Sequence, residues 1–236
     1  MVSDDGGYLS VNVIGHRGAS GAEQENTVEA FRRAAAMGAD AVELDVRRTR
    51  DGVLVVHHDA HLPAGAIVQL RVGELPAYVP TLAAALDACH GMWVNIEIKN
   101  DEREPDFDPT DSIADETIAH LLARDEDERW LISSFRLATI DRCRALAPQI
   151  RTAWLVGRTP TDAVAVLTQR GHAALHPWVE RLERATIDEC HDAGIEVNTW
   201  TCDDPARMAE LIDWGIDGIC TNVPDVALTV RRDAPG

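Results

Sequence analysis

The chain has 236 residues, 45% of them hydrophobic, and carries 40 Asp and Glu against 22 Lys and Arg, a formal net charge of −18. This is enough apolar material for one sizeable core, and no Pro-, Gly- or Ser-rich stretch divides it, so residues 1–236 are expected to form a single domain. A surface this acidic repels phosphate backbones and anionic bilayers, which argues against nucleic acid or stable membrane association while leaving room for a small phosphorylated molecule held by local cations.

Met1–Ser10, with Asp4, Asp5, Gly6 and Gly7, lacks the basic start and apolar run of a secretory signal. A first strand is then expected over Val11–Gly15, followed by a helix over Thr27–Met37 that stops at Gly38. The second strand, Asp40–Val46, leads into a long connection that holds a further β-like run, Val53–Val56, and the triplet His57-His58-Asp59. A helix over Leu82–Cys89 and a strand over Trp93–Ile98 come next, then helix Asp111–Arg124 and strand Trp130–Ser133. The alternation continues through helix Leu137–Leu146, strand Thr152–Val156, helix Asp162–Gln169, strand Ala173–His176 and helix Ala185–Ala193. It closes with strand Glu196–Trp200, helix Pro205–Trp214, strand Gly218–Thr221 and helix Val223–Val230, with Gly171, Gly194 and Gly215 as further helix stops. Strand-then-helix repeated eight times predicts a closed parallel (β/α)₈ TIM barrel with a short insertion after the second strand. The rival, an open doubly wound sheet, usually has fewer strands and a glycine-rich phosphate loop after the first, which this sequence lacks.

In such a barrel the loops after the strands build the active face. His16 and Arg17 follow the first strand directly, between Gly15 and Gly18. Glu43 and Asp45 lie two apart on the second strand and therefore point to the same side, as Glu97 and Lys99 do at the end of the third. Three carboxylates brought together on adjacent strands repel unless a proton or cation sits among them, and oxygen ligands suit Mg²⁺ or Ca²⁺ better than zinc. The alternative is that Glu43 and Asp45 are held in ion pairs with Arg47, Arg48 or Lys99. His16 is a candidate acid–base group and Arg17 a candidate fork for phosphate oxygens. His57 and His58 point opposite ways if the strand continues through them, and the residues alone do not decide which enters the site.

Elsewhere the readings are bland. His61, His90, His120, His172 and His191 are expected at the surface or at helix ends, and His176 at the end of its strand is a candidate for the barrel mouth. Asp125–Glu128 reads as a solvated acidic run, and Trp154, Trp178 and Trp214 as core. The five cysteines, Cys89, Cys143, Cys190, Cys202 and Cys220, are odd in number and lack metal-type pairing, which suits a reducing cytoplasm; three sit in helix-like segments and read as small buried thiols, and Cys202 and Cys220 are expected near the catalytic face.

Taken in order, His16-Arg17-Gly18, Glu25-Asn26-Thr27, Ala30-Phe31, Gly38-Ala39-Asp40, Glu43-Leu44-Asp45-Val46, Thr49, Asp51-Gly52, His58-Asp59 and Glu97-Ile98-Lys99 resemble the signature of the glycerophosphodiester phosphodiesterase family. Val197-Asn198-Thr199-Trp200-Thr201, Gly215-Ile216-Asp217-Gly218 and Thr221-Asn222 are similar to its closing strands, so the likeness spans nearly the whole chain. The resemblance implies a barrel hydrolase that splits glycerophosphodiesters into sn-glycerol 3-phosphate and an alcohol. It further implies Glu43, Asp45 and Glu97 as ligands of one divalent cation, Mg²⁺ or Ca²⁺, and His16 and His58 as the acid–base pair, which selects His58 over His57. Arg17 and Lys99 match phosphate-facing cations and Trp200 a wall against the glycerol. Which histidine is acid stays open, as does whether water or the glycerol 2-hydroxyl attacks. Two departures stand out: Gln24 replaces a frequent proline, and Ala60-His61-Leu62-Pro63-Ala64-Gly65 replaces an Arg-Thr-Thr-like segment near the substrate mouth. The rivals are a phospholipase-type relative, such as sphingomyelinase D or phosphoinositide-specific phospholipase C, and a non-catalytic phosphodiester-binding barrel. The former work at membranes, for which this sequence carries no basic or apolar docking patch.

Overall fold

The computed structural model describes residues 11–234, so Met1–Ser10, where no secretory signal was read, lies outside the described residues. Eight strands run in parallel: β1 (Asn12–Gly15), β2 (Ala41–Arg48), β3 (Trp93–Ile98), β4 (Trp130–Ser134), β5 (Arg151–Val156), β6 (Ala174–Pro177), β7 (Glu196–Thr199) and β8 (Gly218–Thr221). Each pairs with the next, and β1 pairs with both β2 and β8, so the sheet closes into the expected barrel. Strand ends shift from the sequence reading by at most two residues, the largest change being the extension of β2 through Arg47 and Arg48. That extension has a cause: Leu54–Val56 pairs antiparallel with it, Val46 facing Val56 and Arg48 facing Leu54.

The helices between strands are α1 (Val28–Met37), α2 (Leu82–Ala88), α3 (Ser112–Leu122), α4 (Leu137–Leu146), α5 (Ala163–Arg170), α6 (Arg184–Asp192), α7 (Pro205–Asp213) and α8 (Pro224–Asp233). Their starts follow local chemistry. The Thr27 hydroxyl accepts the Ala30 amide, Thr81 does the same for Ala84, and Asp204 caps α7 ahead of Pro205. Gly38 and Gly171 end α1 and α5 in left-handed backbone, where a Cβ would be costly.

Side-chain alternation sorts the strands into two faces. Val42, Leu44 and Val46 of β2 and Val94, Ile96 and Ile98 of β3 pack outward with Phe31, Ala34, Leu82 and Leu86 of the helices. A matching cluster on the other side joins Val13, Leu175, Val197 and Ile219 to Leu167, Ile187, Met208 and Leu211. The intervening residues point inward. Leu131, Ala153 and Ala174 pack with Trp93 inside the barrel, and Ile14, Ala41 and Cys220 form a neighbouring interior cluster with Trp93 and Trp200. These small and apolar residues make a plug, and the polar inward residues of the same strands lie beyond it.

The insertion after β2 builds its own small core from Val55, Leu62, Ile67 and Val79, and the departing Ala60–Gly65 segment folds as a turn between paired His61–Leu62 and Gly65–Ala66. Among the described residues no helix is long and apolar enough to cross a membrane. Two bland expectations need correction. Trp178, read as core, is 36% exposed, because it follows β6 on the loop side rather than facing the helices. His172, read as surface or helix end, is buried just after α5, where its ring meets Thr152 at 2.8 Å and Asp141 at 3.1 Å.

Candidate active site

A cavity of about 210 Å³ opens at the carboxyl ends of the strands. Its walls include His16, Arg17, Glu43, His58, Glu97, Lys99 and Trp200. Asp45 lies beside them, fully buried, with one ligand atom each from Glu43, Asp45 and Glu97 within 4.8 Å of one another. Register explains the convergence: Glu43 pairs with Asn95 and Asp45 with Glu97 across β2 and β3, so all three acids share the inward face.

The turn after β1 is shaped around these acids. Arg17 sits at φ 55° and Gly18 at φ 82°, and a Cβ on Gly18 would meet the Ala30 backbone at 2.6 Å. This left-handed turn directs the Arg17 amide onto the Glu43 carboxylate at 2.9 Å. The Arg17 guanidinium then reaches Asp45 at 3.4 Å and Glu25 at 2.8 Å. Asn26, also left-handed, donates from its side chain to Asp45 at 2.8 Å. Lys99 lies 2.7 Å from Glu97 and 3.3 Å from Asp45. Of the alternative ion pairs for these acids, the one between Asp45 and Lys99 forms, whereas Arg47 pairs with Glu104 and Asp106, and Arg48 with Asp108 and Glu116.

Two cations against three acids leave a deficit, and it falls on Glu43. Burial, then the charges of Asp45 and Glu97, push its carboxyl well above the ordinary range despite Arg17. Burial also raises Glu97, with Asp45 adding to it against Lys99. Asp45 moves the other way: burial raises it, but Lys99 and Arg17 together outweigh that and hold it low. Glu43 Oε1 is buried with no hydrogen-bond partner, and Asp45 Oδ1 is met only by the Lys99 ammonium at 3.3 Å. An unsatisfied carboxylate oxygen in a buried cluster of three acids is what a hard divalent cation would satisfy, so the residues fit such an ion.

The histidines are held differently. His16 is half-buried, and its desolvation followed by the Arg17 charge lowers its pKa. Its Nδ1 lies 2.7 Å from Asn222 Oδ1. His58 is half-exposed, with Nδ1 2.7 Å from Asp59 Oδ1, while its carbonyl accepts from Arg47 Nε at 2.9 Å and Nη2 at 2.5 Å. The assigned strand ends at Val56, but the His57 amide still donates to the Asp45 carbonyl at 2.9 Å, so the two histidines leave the strand facing different ways. His57 turns its Nδ1 onto the Asp59 carbonyl at 2.9 Å, and it is His58 that lines the cavity.

Of the remaining walls, His176 and Cys220 were anticipated near the barrel mouth, while Asn95, Phe135 and Leu155 went unread in the sequence. Asn95, His176 and Asn198 are buried polar linings, and Phe135 and Leu155 are apolar ones. Phe135 meets Trp200 edge to face, with centroids 5.5 Å apart, and Trp200 Nε1 donates to the His176 carbonyl at 2.8 Å. Inward parity on an already assigned strand would have found Asn95 and Asn198; nothing local marks Phe135. Cys220 also lines the cavity, but burial holds its thiol protonated.

His176 provides a test of this packing. Burial, then Arg151, depresses its pKa from 6.5 to about 3, and its Nε2 lies 3.1 Å from the Asn198 amide nitrogen, so the folded state holds a neutral ring. The unfolded chain takes up a proton first, so this contribution is complete above pH 6.5 and is lost as pH falls toward the folded value. The unfolding free energy of wild type relative to His176→Gln should therefore fall on acidification below that point, by up to about 1.4 kcal/mol per pH unit. A difference that stays flat in denaturant titrations between neutral and mildly acidic pH would contradict the neutral buried ring.

The model of the glycerophosphoryl diester phosphodiesterase family matches residues 16–78 and 63–226 of this chain. A glycerophosphodiester phosphodiesterase of Caldanaerobacter subterraneus is 28% identical over 241 residues, covering 93% of this chain and 97% of that protein. A crystallised glycerophosphodiester phosphodiesterase of Parabacteroides distasonis superposes with a TM-score of 0.84 at 25% identity, covering 96% of this chain and 98% of that one. An Oleispira antarctica phosphodiesterase, solved in complex with the product sn-glycerol-3-phosphate, gives a TM-score of 0.83 at 25% identity, with 94% and 97% covered. With the family's model matched from the first barrel turn to the last helix, and with a cavity that gathers the residues of its signature, the chain belongs to the glycerophosphoryl diester phosphodiesterase family.

Proposed function

We propose that this chain, as a single domain over residues 1–236, is a cytoplasmic enzyme that hydrolyses glycerophosphodiesters to sn-glycerol 3-phosphate and an alcohol with the help of one divalent cation, Mg²⁺ or Ca²⁺. The observation that carries the reading is the meeting, around one cavity, of two histidines, two fixed cations and a carboxylate cluster with an unpartnered oxygen on Glu43. The product bound by the Oleispira relative supports the substrate class. The net charge of −18 supports a small-molecule substrate over nucleic acid or an anionic bilayer.

Glu43, Asp45 and Glu97 would hold the cation, which when bound supplies Lewis-acid stabilisation of charge on the phosphoryl oxygens. Arg17 and Lys99 line the same cavity and add fixed positive charge for those oxygens. His16, neutral because burial lowers its pKa and engaged through Nδ1, keeps Nε2 to take the proton of the attacking hydroxyl. His58 donates its Nδ1–H to Asp59, so a proton carried on Nε2 is the one it can give to the departing alkoxide. Trp200, braced edge-on by Phe135, offers an apolar wall to the glycerol carbons. The test is turnover of glycerophosphocholine and other headgroups with and without EDTA, reading release of sn-glycerol 3-phosphate. Chelator-sensitive release is expected; no release from any glycerophosphodiester with cation present would overturn the assignment.

A further inference from the structure

We infer that Asn222 and Asp203 are positioning residues that set the tautomer and ring orientation of His16. The inference rests on the reading of His16 as the proton acceptor. Its evidence is a chain of hydrogen bonds assembled from three loops on one face of the barrel. The turn after β1 is tied to the end of β8, where the His16 amide donates to the Thr221 carbonyl at 2.8 Å. The next residue, Asn222, then presents Oδ1 to His16 Nδ1 at 2.7 Å.

The orientation of the Asn222 amide follows from its other end. Asn222 Nδ2 donates to Asp203 Oδ2 at 2.6 Å, and a carboxylate can only accept. Asp203 is itself held, because its Oδ1 accepts from the Asn222 amide and from the Thr221 hydroxyl, both at 2.8 Å. The amide nitrogen is thereby committed to Asp203 and the amide oxygen to His16. Ser20 Oγ lies 2.7 Å from the same oxygen and 2.8 Å from the His16 carbonyl, so its single proton serves one of the two at a time. Facing an oxygen that only accepts, His16 must carry its proton on Nδ1, and the lone pair of Nε2 is left for the cavity.

The composition of the relay matters as well as its geometry. A carboxylate bonded directly to Nδ1 would favour the charged ring. The interposed amide transmits direction while keeping the full negative charge one residue away, which suits a ring that must be neutral to accept a proton. Outer partners of metal-ligating histidines contribute about 10- to 100-fold by fixing tautomer and ring orientation, and a loss of the same order is expected where the oriented ring moves a proton.

The test uses the full-length, cation-loaded enzyme with isotope-labelled histidine, His16 being assigned by its loss in His16→Ala. In wild type the ring-nitrogen shifts should report a single tautomer protonated at Nδ1. Asn222→Ala should convert this to a mixture and lower kcat about 10- to 100-fold with KM nearly unchanged. A nitrophenyl diester, which needs little protonation of its leaving group, should not rescue it. Asp203→Asn changes only the exposed end of the relay, and so provides a second variant if Asn222→Ala folds poorly. It should produce the same tautomer mixture, because an amide at 203 no longer dictates which end of Asn222 faces the ring. Variants with unchanged ring-nitrogen shifts and wild-type kcat, beside an inactive His16→Ala, would overturn the relay while leaving the base role intact. An active His16→Ala would instead overturn the base reading on which the relay depends.

Discussion

His16→Ala and His58→Ala are each expected to lose about 10²- to 10⁴-fold in kcat, the double variant to be barely worse than either, and His57→Ala to lose little. The near-equivalence of single and double losses follows if the two rings serve one concerted proton transfer, since removing either disables the unit. The exemption of His57 follows from its ring being turned onto the Asp59 carbonyl instead of lining the cavity. Leaving-group chemistry separates the two roles. A nitrophenyl diester departs without much protonation, so it should restore much of the rate of His58→Ala and little of that of His16→Ala. Rescue of His16→Ala alone would exchange the acid and base assignments drawn from the Asp59 and Asn222 hydrogen bonds. An inactive His57→Ala beside an active His58→Ala would remove His58 from the mechanism.

Glu43→Gln should abolish turnover yet make the cation-free protein more heat-stable. Glu43 carries the largest share of the unbalanced charge: it is buried, lies against Asp45 and Glu97, and has one oxygen without a partner. Replacing it with an amide removes that repulsion and keeps an acceptor for the Arg17 amide. The same change removes a charged oxygen donor from the cluster, so the response to cation should vanish. For wild type, a cation at about 100 times its Kd stabilises by about 2.7 kcal/mol, which for a chain of this length is a rise of about 5–10 °C in Tm. The variant should melt higher than wild type without cation and show little rise with it. Full turnover after exhaustive chelation, or an equal cation-induced rise in both proteins, would remove Glu43 from a metal site.

Much of this protein was legible in the sequence because its rules are local. Period-two alternation on β2 and β3 put Glu43, Asp45 and Glu97 on one face before any coordinates, since adjacent residues of a strand point to opposite sides. Glycines such as Gly38 and Gly171 marked helix ends for the same local reason. The resemblance then named His16, His58, Arg17, Lys99 and Trp200, all of which line one cavity. What the sequence could not determine depends on separations that have no local signature. Asn222 meets His16 across 206 positions only because β1 and β8 close the barrel, and Asn26 reaches Asp45 only because the turn after β1 folds back over β2. His172 and Trp178 were misread because burial at a strand edge is decided by which neighbouring element covers it, and residue type alone does not carry that information. The choice between His57 and His58 is of the same kind. The ladder reaches the His57 amide, which donates to the Asp45 carbonyl, and the ring that faces the cavity belongs to the next residue, His58, whose carbonyl the buried Arg47 holds.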